Sequence, residues 1–250
     1  MFPLPYKAPL DQILYALFAL EWMLLSGGLL LGKLNAEQTG RLPRPLRMLL
    51  SALLVVAAFL QWHYGSGASA PRSYALLVFL GMAASFVGDL IMARLIPVSN
   101  RLIFGMAAFA VGHALYLSAF VHLLRESPPA GVGVAGLGFV SAAFLAFAVW
   151  AWYSWVRNPD RGRAINMGSL VYGLLFGLAA SLAILLAIAD PHYVGLAAGS
   201  LLFMLSDLVL GNWVIRGHVW TSVNDVIWLA YVSGQLLIVY SVAAAFNVGR

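Results

Sequence analysis

Residues 81–92 read Gly81-Met-Ala-Ala-Ser-Phe-Val-Gly-Asp89-Leu-Ile-Met, one carboxyl group inside an apolar run that extends over 73–96. About 20 apolar residues suffice for a helix to cross a hydrocarbon core, so this run predicts a membrane span with an acid inside it. Residues 199–210 repeat the pattern as Gly199-Ser-Leu-Leu-Phe-Met-Leu-Ser-Asp207-Leu-Val-Leu. In both, a glycine precedes the aspartate by eight residues, and the two aspartates stand 118 residues apart (207 − 89), close to half of the 250-residue chain.

Outward from these two segments, six further runs are long and apolar enough to span. The eight lie at roughly 10–31, 46–63, 73–96, 101–124, 131–156, 166–189, 192–214 and 224–246, the second being the shortest. Pro43 and Pro45, the Gly65–Pro71 stretch, Pro97, Pro128–Pro129, Pro159 and Pro191 punctuate them. The runs lack the alternation of a barrel strand, and an open sheet edge has no place in lipid. The expected fold is all-α, a polytopic integral membrane bundle of about eight transmembrane helices forming one domain over 1–250. Four spans per half make two parallel four-helix repeats, roughly 1–125 and 126–250. The Gly173/Gly177 and Gly195/Gly199 pairs suit close helix packing.

Composition agrees. The chain is 62% hydrophobic and only 9% charged, far below the quarter that wets a soluble domain. Its net charge of +5 comes from basic residues scattered between apolar runs, not from a stripe interleaved with aromatics, so nucleic acid is not an expected partner. Cysteine is absent, which removes thiol chemistry and disulfides. The first run is interrupted by Glu21 and lacks a small-residue cleavage site, so it reads as a retained first helix.

Lys33, Arg41, Arg44, Arg47, Arg94, Arg101, Arg157, Arg161, Arg163 and Arg216 fall in the odd-numbered loops. Only Lys7, Arg72, Arg125 and Arg250 fall on the other side. Ten against four predicts cytoplasmic odd loops and both termini outside. The short loops suit a bacterial cytoplasmic membrane. Trp150, Trp152 and Trp155 read as an interfacial belt.

Of nine acidic residues, only Glu21, Asp89 and Asp207 sit well inside spans, where an unpaired charge costs at least about 2.5–3.5 kcal/mol. With spans ending near 96 and 214, each aspartate stands seven residues from its helix end, about 10 Å in depth. The repeat lets them face each other. Ser85 lies one turn before Asp89 on the same face, and Ser206 adjoins Asp207. His113 and Tyr116 share a face of the fourth span, and Tyr231 and Gln235 share one of the eighth. No lysine or arginine is central in any span. A carboxyl group out of water without a cation favours its neutral form, and two sharing a site yield an acid and a base. Helix-locking hydrogen bonds are the plainer role for each of these residues. Soluble-enzyme motifs such as GxSxG, HExxH and GxxxxGK[ST] are absent. The histidines are too scattered to build a metal site at recognisable spacing, so zinc is possible but unsupported.

The order Gly88-Asp89-Leu-Ile-Met, Phe104-Gly105, Phe109, His113, Tyr116 and Phe120 resembles the third and fourth spans of the YhhN-type lysoplasmalogenase family. Phe203-Met-Leu-Ser206-Asp207-Leu-Val-Leu with Tyr231-Val-Ser-Gly-Gln235-Leu-Leu-Ile resembles its last two spans. Arg44-Pro45-Leu46 stands where that family commonly has Lys-Pro-Leu, and Glu21 matches nothing in the pattern. The resemblance implies cofactor-free hydrolysis of the vinyl-ether bond of a lysophospholipid, releasing a fatty aldehyde. Asp89 and Asp207 would then be the catalytic pair. His113, Tyr116, Ser85, Ser206, Tyr231, Gln235 and Glu21 would bind substrate or support that pair. Two other readings fit parallel repeats with intramembrane acids: a proton-coupled transporter and a non-catalytic lipid-binding protein. Small-residue stripes serve internal packing and dimer contacts alike, so they do not set the oligomeric state.

Overall fold

A computed structural model describes residues 4–65, 69–126 and 134–248. The Pro128–Pro129 turn, Arg250, the first residues of the fifth run and residues 66–68 lie outside them. Eight helices are long and apolar enough to cross a membrane, and no strand occurs among the described residues. The chain is an all-helical, integral multi-pass membrane protein. The helices are α1 (Leu10–Leu31), α2 (Arg44–Tyr64), α3 (Ser69–Met92), α4 (Arg101–Glu126), α5 (Val134–Ala151), α6 (Arg163–Ala189), α7 (Val194–Gly211) and α8 (Val223–Val248). Short π turns extend α5 over Trp152–Val156 and α7 over Asn212–Arg216, and a 3-10 turn at Pro191–Tyr193 leads into α7.

Local chemistry sets the boundaries. Pro43 is extended and Pro45 sits in the first turn of α2, where a missing N–H costs nothing. As a result α2 starts at Arg44 and, at 21 residues, is the shortest of the eight spans, as expected, yet long enough to cross. The third span ends earlier than its hydropathy predicts. Arg94 takes a left-handed φ of 61°, Leu95 N–H bonds Leu90 O at 2.9 Å and Arg94 N–H bonds Ile91 O at 3.0 Å. These two bonds form a Schellman cap that closes α3 while the sequence is still apolar. Arg44 adds a bond to Ala93 O at 3.3 Å. Asp89 is therefore three residues from its helix end, about 5 Å, and the predicted seven is corrected.

Packing is most extensive between α3 and α4 and between α7 and α8. Glycines allow it. A Cβ on Gly199 would lie 2.8 Å from the Gly234 carbonyl oxygen, and one on Gly81 would meet the Tyr116 ring at 2.6 Å. Helix α8 is the most enclosed span, and α1 and α5 are the least. The α1–α2 loop is tied to the start of α8. Arg41 pairs with Asp225 at 2.8 Å, while the N–H groups of Ser222 and Asn224 bond Gln38 O and Thr39 O. This latch holds the arginine-rich start of α2 beside α8.

Candidate functional site

At the end where α3 and α7 finish and α2, α4 and α8 begin, the helices enclose a chamber of about 470 Å³, within the size range of ligand sites. Asp89, Ser206, Asp207 and Tyr231 line it, together with Arg47 and Arg101. The two aspartates, distant in sequence and buried, thus meet on one space.

Each carboxylate is fixed through its Oδ2 atom. Asp89 accepts the Ser51 hydroxyl at 2.6 Å and the Tyr231 hydroxyl at 2.7 Å. Asp207 accepts the Tyr172 hydroxyl at 2.5 Å and lies 3.0 Å from His113 Nε2. The donors follow one rule: the helix before the aspartate supplies one, and the closing helix of the other half supplies the second. His113 and Tyr231 are 118 residues apart (231 − 113), the offset of the aspartates themselves. That shared offset is a signal, present in the sequence, by which these two can be paired.

Other predicted residues are placed differently. Ser85 donates to Gly81 O at 3.0 Å and packs where α4 crosses at Gly112, so it does not serve Asp89. A hydroxyl one turn from the aspartate finds its own helix's carbonyl nearer. Tyr116 donates to Gln235 Oε1 at 2.7 Å. That buried bridge between α4 and α8 lines no part of the chamber. Glu21 is fully buried, with neither carboxyl oxygen hydrogen-bonded among the described residues, and lies within electrostatic reach of Tyr240 on α8. It too lines no part of the chamber. The helical turn of α1 faces it inward.

Sequence reading missed Ser51, Tyr172 and the role of Arg47. Serine and tyrosine are ordinary in membrane helices, and nothing local says which face they take. Arg47 counts as a topology signal by position. In the fold its guanidinium lies 5.4 Å from the Trp228 ring centroid and 3.4 Å from Asn224 Oδ1. The aspartates therefore have cations in their chamber, although neither is ion-paired with arginine or lysine among the described residues. Among the described residues, no group of three or more histidine and acidic side chains is arranged to hold a metal.

A second, apolar slot abuts the chamber. It is narrow, about 40 Å³, and runs among α4, α5, α6 and α7, with Met106, Trp152, Tyr172, Gly173 and Phe176 in its walls. Trp152 leaves the expected interfacial belt. Its indole N–H bonds Asn166 O and Ser169 Oγ, both at 3.1 Å, whereas Trp150 and Trp155 are exposed as expected. A larger opening between α7 and α8 at the opposite end, about 540 Å³, carries no acidic side chain.

Compared with known families, residues 43–242 match the YhhN family. The chain belongs to the YhhN family. The match spans α2 to most of α8 and so contains both aspartates and all four of their donors. In this YhhN protein α1, with Glu21, lies outside the matched region. No curated protein and no solved structure matches the chain.

Proposed function

We propose that this YhhN protein is a membrane-embedded hydrolase that cleaves the vinyl-ether bond of lysoplasmalogen-type lysophospholipids. One observation carries the reading: Asp89 and Asp207 line a single chamber that also holds Arg47 and Arg101. Membership of a family that includes lysoplasmalogenases supports it.

The chemistry requires an acid and a base a substrate's width apart. One carboxyl group gives its proton to the alkenyl carbon once removed from the ether oxygen, leaving an oxocarbenium ion. The other carboxylate steadies that cation and takes a proton from the attacking water, as paired acids do in glycoside hydrolysis. The resulting hemiacetal collapses to the aldehyde and the free glycerol hydroxyl. Every atom comes from lipid and water. Hydroxyl donors hold Oδ2 of each carboxylate, with the His113 imidazole also against Asp207, so either group gains a proton without breaking a pair with arginine. Arg47 and Arg101 suit a phosphodiester head group. The arginine-rich end would face the cytoplasm.

Purified protein in detergent should release aldehyde from lysoplasmalogen and none from the corresponding acyl lysophospholipid. Folded Asp89→Asn and Asp207→Asn variants should each lose at least about a hundredfold in turnover. Full turnover in both would refute the assignment. A carrier would release no aldehyde at all.

A further inference from the structure

Met92, Phe109, Asp207, Leu210 and Val214 line both the polar chamber and the apolar slot, so the two spaces share one wall and Asp207 stands in it. Along the slot's other sides, α5 packs on α6 and α4 packs on α6, but α4 and α5 make no extensive contact with each other.

Two glycines that look alike in sequence differ here. A Cβ on Gly177 would fall 3.1 Å from the Ala148 Cβ and 3.2 Å from the Phe144 carbonyl oxygen, so Gly177 serves the α5–α6 contact. A Cβ on Gly173 would find only the Phe176 ring, at 3.8 Å and beyond. Packing does not demand glycine at 173, yet its open face lines the slot. Its neighbour Tyr172 bonds Asp207, which puts Gly173 near the reacting end.

We propose that this slot admits the hydrocarbon chain of the lipid whose head group occupies the polar chamber, side-on from the bilayer between α4 and α5, and that Gly173 sets the bulk of chain it accepts. The proposal rests on the hydrolase reading and adds where the substrate's second half lies. A chain of one lipid fits one slot, and the lining is apolar apart from Ser169, Tyr172 and Asp207. At about 40 Å³ the slot is nearly closed. Met92 and Met106, unbranched thioethers, are the walls able to swing aside. Hydrocarbon gains little by leaving one apolar medium for another, so the slot selects by fit and not by hydrophobic transfer.

The test compares alkenyl lysolipids with octenyl and hexadecenyl chains. Gly173→Leu should lower the ratio of long-chain to short-chain turnover at least about fivefold, the scale of an overpacking clash. Met106→Trp narrows the slot from its α4 side and carries the test if Gly173→Leu does not fold. An unchanged ratio in the folded variants would overturn the proposal. A separate readout does not depend on turnover. A saturated alkyl lysolipid brominated on its chain should quench a part of the tryptophan fluorescence that Trp152→Phe removes and Gly173→Leu diminishes. Absence of that part in the starting protein overturns the slot assignment. Absence of aldehyde release alongside normal quenching would instead overturn the hydrolase reading and leave the slot standing.

Discussion

Tyr231 reaches Asp89 from the last helix, 142 residues along the chain, and its hydroxyl donates to Oδ2 at 2.7 Å. The same oxygen takes the Ser51 hydroxyl, so the orientation of this carboxyl group depends on α2 and α8 together.

Removing either donor should therefore slow the reaction without abolishing binding. Tyr231→Phe and Ser51→Ala are each expected to lower kcat roughly ten- to a hundredfold, the worth of a hydrogen bond to a charged group. Because both act on one oxygen, the double variant should fall short of the summed effects. Steady-state aldehyde release on folded protein measures all three.

Arg47 should matter to binding more than to chemistry. Its guanidinium lines the chamber and rests on Trp228, where arginine's planar fork is not matched by lysine. Arg47→Gln is expected to raise KM for phosphate-bearing substrates about tenfold or more, the loss of a charge-assisted contact. Arg47→Lys should recover only part of that. A change in kcat with KM untouched would contradict the assignment.

Glu21 makes the opposite prediction. Both its oxygens are buried without hydrogen-bond partners among the described residues, so the fold carries their desolvation. Glu21→Met, which removes the buried polar group, should raise thermal stability by about 1–3 kcal/mol and leave aldehyde release near its starting value. Thermal unfolding in detergent, with activity assayed in parallel, decides it. A destabilised Glu21→Met protein would mean the carboxyl group has a partner in the membrane.

The glycines at the α7–α8 crossing should be intolerant. Gly199→Ala places a methyl group 2.8 Å from the Gly234 oxygen and is expected to cost about 1–3 kcal/mol. Gly173→Ala, with 3.8 Å to spare, should be near neutral in the same unfolding assay.

The contrast between these residues explains how far sequence reasoning reached. Asp89 and Asp207 were legible because a carboxyl group stands out against an apolar run, and the energy of burying it demands a reason. The spans were legible because lipid imposes their length. Tyr172 and Ser51 were not, since a hydroxyl in a helix has many uses and its face is set by tertiary packing. Glu21 stood out as strongly as the aspartates, yet it does not line their chamber, because the energetic cost of a carboxyl group marks its burial and not which space it shares. The end of α3 was misjudged because hydropathy continues through Leu95 and Ile96 while the backbone turns at Arg94. Gly173 and Gly177 looked like one packing motif, and only the position of α5 separates them.

Asp207 stands in a wall common to a polar and an apolar space, and that placement bears on how a cut lipid departs. Were a lipid cut there as proposed, the oil-soluble aldehyde would drift sideways into the leaflet, while the water-soluble phosphodiester fragment would drain past Arg47 and Arg101. Neither fragment would block the other's exit, so the proposed reaction would not wait for an ordered release of products.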